Sequence, residues 1–257
     1  MTVQKNGSVV KAFEILKLFS EQRPEINAAD VRAELGLNAI TAHRFLRTLE
    51  TVGALVAVRK GLYRLSYVFV DLGERVTGGD RLGRILQPLL NRLTADMQEA
   101  SMATMFQADM VVCIARAVSN RQISVDIRVG TQLEAYCTAH GKTWLAFMPA
   151  RQKEHYLEVI ERKKLTGNTL VDRETLEADL AQIRERRYAI NDEEREDGIR
   201  AIAVPILLRS GRMAAGLSVF GPASRMSDEM LNKALEQLRK AADEASRLLY
   251  GPDLPPE

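Results

Sequence analysis

The chain has 257 residues, 46% of them hydrophobic and 27% charged, which suits one large or two modest domains of ordinary globular composition. No run approaches the roughly 18 apolar residues of a membrane span, and residues 1–8 lack the apolar stretch of a secretory signal, so a cytoplasmic protein with no membrane partner is expected. The net charge of +2 falls within residues 1–80, and between residues 40 and 66 Arg44, Arg47, Arg59, Lys60 and Arg64 face a single acid, Glu50, a balance that suits a polyanion although a basic run is usually a solvated face. Cys113 and Cys137 have neither disulfide-framework nor zinc-ligand spacing, so no metal or other cofactor is expected.

In chain order, Ser8 is read as the cap of a helix whose Val9, Ala12, Phe13, Leu16 and Phe19 recur at three- and four-residue steps, a buried supporting helix stopped before Pro24. Asn27 caps a second helix over 28–35, Gly36 opens a tight turn, and Asn38 caps a third helix that Gly53 ends. Two short helices joined by such a turn make a helix-turn-helix. In the third helix Ala42, Phe45, Leu46 and Leu49 look inward, which turns Thr41, His43, Arg44, Arg47 and Thr48 outward, and a helix of this kind fits the DNA major groove. Residues 55–58 and 62–66 form two strands hinged at Arg59-Lys60-Gly61, a wing whose basic tip suits phosphates or the minor groove. Asn27, Asn38, Thr41, His43, Arg44, Arg47, Arg59, Lys60 and Arg64 are therefore the candidate DNA-binding residues. A helical subdomain for protein contacts explains the helices but not where the basic residues fall.

After Gly78-Gly79, residues 81–100 place Leu82, Ile85, Leu86, Leu89, Leu90, Leu93 and Met97 on one stripe despite Pro88. This linker helix either packs on its own domain or pairs across a two-fold, as two recognition helices reading two half-sites require. From Ser101 the period becomes that of strands: 102–106, 110–118 and 122–129, an antiparallel meander. Helices follow from Thr138 to Phe147 and from Pro149 to about Arg162, and Asp172 caps another. Strands resume at 201–208 and 213–220 before a final helix capped by Ser227. The expected fold is α+β: a winged helix-turn-helix over 1–79, a linker helix over 80–100 and an antiparallel-sheet sensor domain over 101–257.

Polar residues interrupting that core are candidates for a pocket: the stretch 136–142 opening a helix whose free N–H groups suit an anion, the run 191–196, and Ser218 with Phe220 on the last strand. Taken singly, Thr138 reads equally as an N-cap and the acidic run as a solvated loop. Cys137, His140 and Asn191 or Asp192 also supply the residue types of a cysteine-dependent hydrolase, but no hydrolase motif surrounds them, so a non-enzymatic binding pocket is the stronger reading.

The series Ser8-Val9-Val10-Lys11-Ala12-Phe13-Glu14-Ile15-Leu16, Leu35-Gly36-Leu37, residues 41–49 and Tyr63-Arg64-Leu65, continued by Gly141-Lys142-Thr143-Trp144-Leu145-Ala146-Phe147, residues 188–194, Gly198-Ile199-Arg200, Ala203-Val204-Pro205 and residues 217–222, resembles the IclR family of bacterial regulators from about Ser8 to Met226. The resemblance implies a winged helix-turn-helix that reads a palindromic double-stranded DNA operator as a homodimer or dimer of dimers, and a GAF-like domain binding a small organic acid effector. It implies effector contacts at Ala139, His140, Asn191, Asp192, Ser218 and Phe220, to which Tyr136, Thr138 and Ala201 are added. Two departures bear on the ligand: Leu133-Glu134-Ala135-Tyr136 stands where many members have Leu-Pro-Leu-His, and Ala201 where many have cysteine. The string Ala135-Tyr136-Cys137-Thr138 resembles the branch that controls aromatic-acid catabolism, with Tyr136 and Phe220 expected to stack on a ring and His140 to meet a carboxylate.

Overall fold

A computed structural model describes residues 6–79, 81–121, 125, 127–208 and 210–250, with backbone only for 77–79. The chain divides into two compact units, Met1–Gly79 and Asp80–Glu257.

In the first unit, helix α1 (Gly7–Leu16) is capped by Asn6, whose Oδ1 accepts from Ser8 and Val9 N–H; Ser8 is thus inside the helix rather than its cap. Apolar residues occupy more of α1 than one core can cover. Its Ile15 is buried, with Ala12 and Leu16 packed beside it, whereas Val9 and Phe13 of the expected inner stripe stay exposed, Phe13 by 60%. Phe19 lies beyond the helix end. Strand β1 (Glu25–Asn27), too short for a periodicity signal, buries Ile26 and leads into α2 (Ala28–Leu35). Asn27 and Asp30 form a reciprocal capping box there, and Gly36, at φ +64°, ends the helix in the left-handed conformation. Asn38 caps α3 (Ala39–Thr51) by accepting from Thr41 N–H at 2.8 Å. Strands β2 (Leu55–Arg59) and β3 (Leu62–Leu65) form the hairpin, and β3 lies between β1 and β2 in one antiparallel sheet. Ile15, Ile26, Val31, Ala42, Leu46, Leu49, Leu55 and Tyr63 make the core. A further helix, α4 (Val68–Gly79), lies where no element is expected; Val68, Val70, Leu72 and Val76 on it are exposed.

The second unit is a six-stranded antiparallel sheet between two helical layers. Its strands are β4 (Ala100–Gln107), β5 (Met110–Ala117), β6 (Gln132–Glu134), β7 (Ala189–Asp192), β8 (Ile199–Leu207) and β9 (Met213–Pro222), in spatial order β6-β5-β4-β9-β8-β7. Alternation sorts the faces, as β8 shows: Ile202, Val204 and Ile206 look one way, Ala201 and Ala203 the other. The first face packs against α5 (Arg81–Met97) and α9 (Asp228–Tyr250) through Leu86, Leu89, Leu90, Leu93, Leu231 and Leu238. Thus the apolar stripe of the expected linker helix is buried within its own unit, and it builds no exposed seam for a second copy. The other face carries α6 (Ala139–Phe147), α7 (Ala150–Val159) and α8 (Arg173–Arg186). Helix α7 stops short of Arg162, whose guanidinium instead donates to the carbonyls of Leu157 and Val171. Of the strand expected over 122–129, residues 122–124 and 126 lie outside the described residues; Val125, Ile127 and Arg128 are irregular, and a turn follows at Val129-Gly130. No helix among the described residues is long and apolar enough to cross a membrane.

Helix α6 lies against the sheet without a spacer at Gly141. A Cβ there would sit 2.1 Å from the Cα and 2.2 Å from the carbonyl oxygen of Ala135, backbone atoms that cannot rotate away. One residue earlier, His140 is 1% exposed and ties α6 to two strands: Nδ1 pairs with Thr104 Oγ1 of β4 at 3.0 Å and Nε2 with Ser218 Oγ of β9 at 2.5 Å. Trp144 Nε1 donates to the same Thr104 oxygen at 3.3 Å, which leaves the threonine proton for His140 Nδ1. Burial pushes the imidazole down to about 3 from 6.5, so it is neutral.

Two outcomes are expected. Gly141→Ala lowers the unfolding free energy of the second unit by about 2 kcal/mol or more through overpacking, read by urea denaturation on the fluorescence of Trp144, the single tryptophan; an unchanged midpoint refutes the close approach. His140 is neutral when folded but takes up a proton on unfolding below its ordinary value, so its contribution is complete above about pH 6.5 and is lost as the pH falls toward 3. Between pH 7 and 5 the chain should therefore lose about 2 kcal/mol more stability than a His140→Gln variant; equal losses in the same denaturation series refute the buried neutral imidazole.

Candidate functional site

In the first unit the burial of α3 fixes its outward face. Ala42, Leu46 and Leu49 are buried and Phe45 half-buried, whereas His43, Arg44, Arg47 and Thr48 are exposed. Thr41 is half-buried, its N–H held by the Asn38 cap. Ile40, 83% exposed in the first turn, adds an apolar side chain to this face that a search for polar readers passes over. Arg44 makes no ion pair among the described residues, whereas Arg47 pairs with Glu50 at 2.8 Å, an exposed contact that a phosphate can replace at little cost. The carbonyl oxygens of Asn27 and Asn38 are committed to capping, so each has its amide NH2 to offer a ligand. On the hairpin, Arg59 follows a register shift in β2 and Lys60 precedes Gly61, whose φ of +77° makes the turn; both side chains are exposed. Arg64, also exposed, sits in register between Glu25 of β1 and Val56 of β2, so its charge is offset by an acidic neighbour.

In the second unit an enclosed cavity of about 280 Å³ opens between the sheet, α6 and the segment after β7. Its floor is buried: Met102, Leu133, Ala139, Ala201 and Phe220 supply apolar surface, and Thr138, His140 and Asn191 polar atoms. A rim of Val125, Ile127, Thr131, Arg195, Glu196 and Ile199 is half-buried to exposed. A depression of about 410 Å³ on α7, beside Arg151, Glu154 and His155, is larger but open to solvent along one helix, so it cannot enclose a ligand.

Six of the nine expected effector residues meet at this cavity: Thr138, Ala139, His140, Asn191, Ala201 and Phe220. Three do not line it. The hydroxyl of Tyr136 donates to the Lys163 carbonyl at 2.9 Å, Ser218 stands behind His140, and Asp192 faces outward and pairs with Arg200 at 2.7 Å. An aromatic sandwich between Tyr136 and Phe220 is therefore not formed, and the neutral His140, with both nitrogens engaged by hydroxyls, is not a cation for a carboxylate. Arg195 and the half-exposed Val125 and Ile127 are rim residues that the sequence reading does not single out, because cavity walls made by loops carry no periodicity.

The polar groups of the floor are already organised. Thr138 Oγ1 donates to the Glu134 carbonyl and accepts from Gly141 N–H, while Asn191 Oδ1 accepts from Glu194 N–H at 2.8 Å. Lys142 is buried next to the cavity but does not line it; its ammonium joins Asp179 at 2.8 Å and Glu194 at 2.5 Å. Burial raises the Glu194 carboxyl above the ordinary range, and Lys142 opposes that shift. Cys137 is fully buried, its thiol pushed up to about 12 by burial, the reverse of an activated nucleophile. The nitrogens of His140, engaged by Thr104 and Ser218, are not held for it as a base.

The comparisons with known proteins converge. The family described as "Bacterial transcriptional regulator IclR C-terminal" matches residues 76–247, and the "IclR helix-turn-helix domain" matches residues 8–59. The HTH-type transcriptional regulator XynR of Escherichia coli K12 is 32% identical over 95% of this chain and 98% of its own length. The crystal structure of the Thermotoga maritima IclR protein covers 95% of this chain and 99% of its own at a TM-score of 0.75 and 27% identity. An IclR homologue from Microbacterium hydrocarbonoxydans, solved in complex with 4-hydroxybenzoate, shares the fold at a TM-score of 0.77 and 24% identity, with 96% and 100% of the two chains covered. With both domains matched in order, the chain belongs to the IclR family of bacterial transcriptional regulators.

Proposed function

We propose that this chain is a cytoplasmic, non-enzymatic regulator that grips a palindromic operator with two or four copies of α3 and the β2–β3 hairpin, and that a small organic acid held in the second unit's cavity alters that grip. The observation that carries the DNA half is the division of α3, with Ala42, Leu46 and Leu49 turned inward and His43, Arg44, Arg47 and Thr48 turned out. Arg44 is assigned to base edges, Arg59, Lys60 and Arg64 to the backbone or minor groove, and Asn27 and Asn38 to phosphates beside their helix ends. A two-fold operator needs a symmetric protein, and the exposed Val9, Phe13, Val70 and Val76 on α1 and α4 give the first unit apolar surface to pair.

For the effector, a volume of about 280 Å³ lies at the small end of ligand pockets and suits a compact molecule with an apolar body. Phe220, Met102 and Leu133 favour an aromatic ring, and the 4-hydroxybenzoate complex of the Microbacterium homologue makes that acid the first probe. Binding is coupled to the operator because the acid favours one of two states that differ in DNA affinity.

Two measurements test the halves separately. In fluorescence anisotropy with an operator fragment taken from beside the gene, Arg44→Ala should weaken binding about tenfold or more and with loss of sequence preference; unchanged binding removes α3 as the reader. In calorimetry, 4-hydroxybenzoate, protocatechuate and benzoate should give heat with at least one partner, and silence from all three removes the aromatic-acid reading.

A further inference from the structure

Arg195 is the one cationic side chain lining the cavity among the described residues, and it stands on the rim rather than the floor. The floor cannot neutralise an ionised carboxylate. His140 carries no charge there, Thr138 is engaged on both sides, and the Lys142 ammonium is turned toward Asp179 and Glu194. Burying a carboxylate without a paired cation costs several kcal/mol, more than the remaining floor donors return. Arg195, by contrast, is only partly engaged. Its Nε donates to Glu134 Oε2 at 2.8 Å, and its Nη1 lies 3.9 Å from Glu196 Oε2, beyond hydrogen-bond distance. The outer edge of the guanidinium, the pair of Nη nitrogens, is the edge that binds a carboxylate through two parallel hydrogen bonds.

We propose that Arg195 is the specificity-determining residue of the cavity: it receives the acid group of the effector at the rim while the uncharged body occupies the floor, and Glu134 and Glu196 restrict that effector to a monocarboxylate. This inference rests on the organic-acid reading above and adds both the orientation and the charge of the ligand. Glu134 holds the guanidinium in place from its Nε side, yet its charge lies close enough to repel an incoming carboxylate. With Glu196 on the same rim, one cation faces two acids before any ligand arrives. A monoanion adds one repelled charge and gains a fork. A second carboxylate on the ligand would enter a floor without a cation, or meet those two acids.

Calorimetry on the full chain separates the possibilities, with 4-hydroxybenzoate, protocatechuate and benzoate as monoacids, terephthalate as the diacid and 4-hydroxybenzamide as the neutral counterpart. The expected result is that Arg195→Gln weakens the monoacids about tenfold or more, that Arg195→Lys, which keeps the charge without the fork, falls between, and that 4-hydroxybenzamide binding moves less than about twofold. Glu134→Gln should tighten the monoacids a few-fold (roughly two to five) and narrow their advantage over terephthalate. If the Arg195–Glu134 pair merely supports the wall, both variants weaken acid and amide alike, which overturns the proposal. Monoacid affinity unchanged in Arg195→Gln also overturns it and places the acid group elsewhere in the cavity, leaving the organic-acid reading intact. No binding of any acid to the unmodified chain overturns both together.

Discussion

Every residue of α6 except Trp144 is buried, and a buried helix must find partners for its polar groups inside the protein. Much of the second unit follows from how those partners are supplied. Thr138 closes the N-terminus through Gly141 N–H, His140 reaches one hydroxyl on each of two strands, and Thr143 returns its proton to the Ala139 carbonyl. Lys142 draws in Asp179 from α8 and Glu194 from the segment after β7. That last pairing has a reach beyond stability. Because Glu194 is held, its neighbours are placed: Asn191, whose side chain accepts from Glu194 N–H, on the cavity floor, and Arg195 on its rim. Thr166 and Thr169 fix the same segment from the other side by donating to the carbonyls of Glu193 and Glu194. The cavity is thus the space left beside a fully satisfied polar network, which keeps its walls in one arrangement.

The same economy explains what the sequence discloses. Features set by local chemistry are readable: the caps at Asn27, Asn38, Thr138 and Asp172 form as their spacing predicts, and α3 divides by face as its apolar period requires. Features set by distant partners are not. Strands β6 and β7 have three and four residues, too few to alternate convincingly, and exist because β5 and β8 offer edges to pair with. Residues 125–129 alternate like a strand, but Val125 and Ile127 are used on the cavity rim, and Gly130, at φ +88°, turns the chain back. Apolar content also misleads where it exceeds what a core can hold, as in α1.

The site was legible in outline and not in its chemistry. Family likeness brings together Ala139, Asn191, Ala201 and Phe220, yet it cannot say that His140 is occupied by Thr104 and Ser218, since those partners lie 36 and 78 residues away. Tyr136 and Asp192 sit in the right stretches and turn elsewhere, one to the Lys163 carbonyl and one to Arg200. The two units also place opposite demands on their polar residues. The cavity works by satisfying them and excluding water, whereas α3 and the hairpin must keep theirs exposed for a hydrated, highly charged partner. This is why the outward face of α3 follows from a period, while the effector's contacts needed coordinates.

Helix α5 bears on anyone who would splice a sensor from one relative onto the reader of another. Its leucines form part of the sheet's covering layer, so a graft that begins at the first strand leaves Ala103, Ala115, Leu217 and Val219 without that cover. The sensible junction lies between Gly79 and Arg81, ahead of that layer and behind the last helix of the reader.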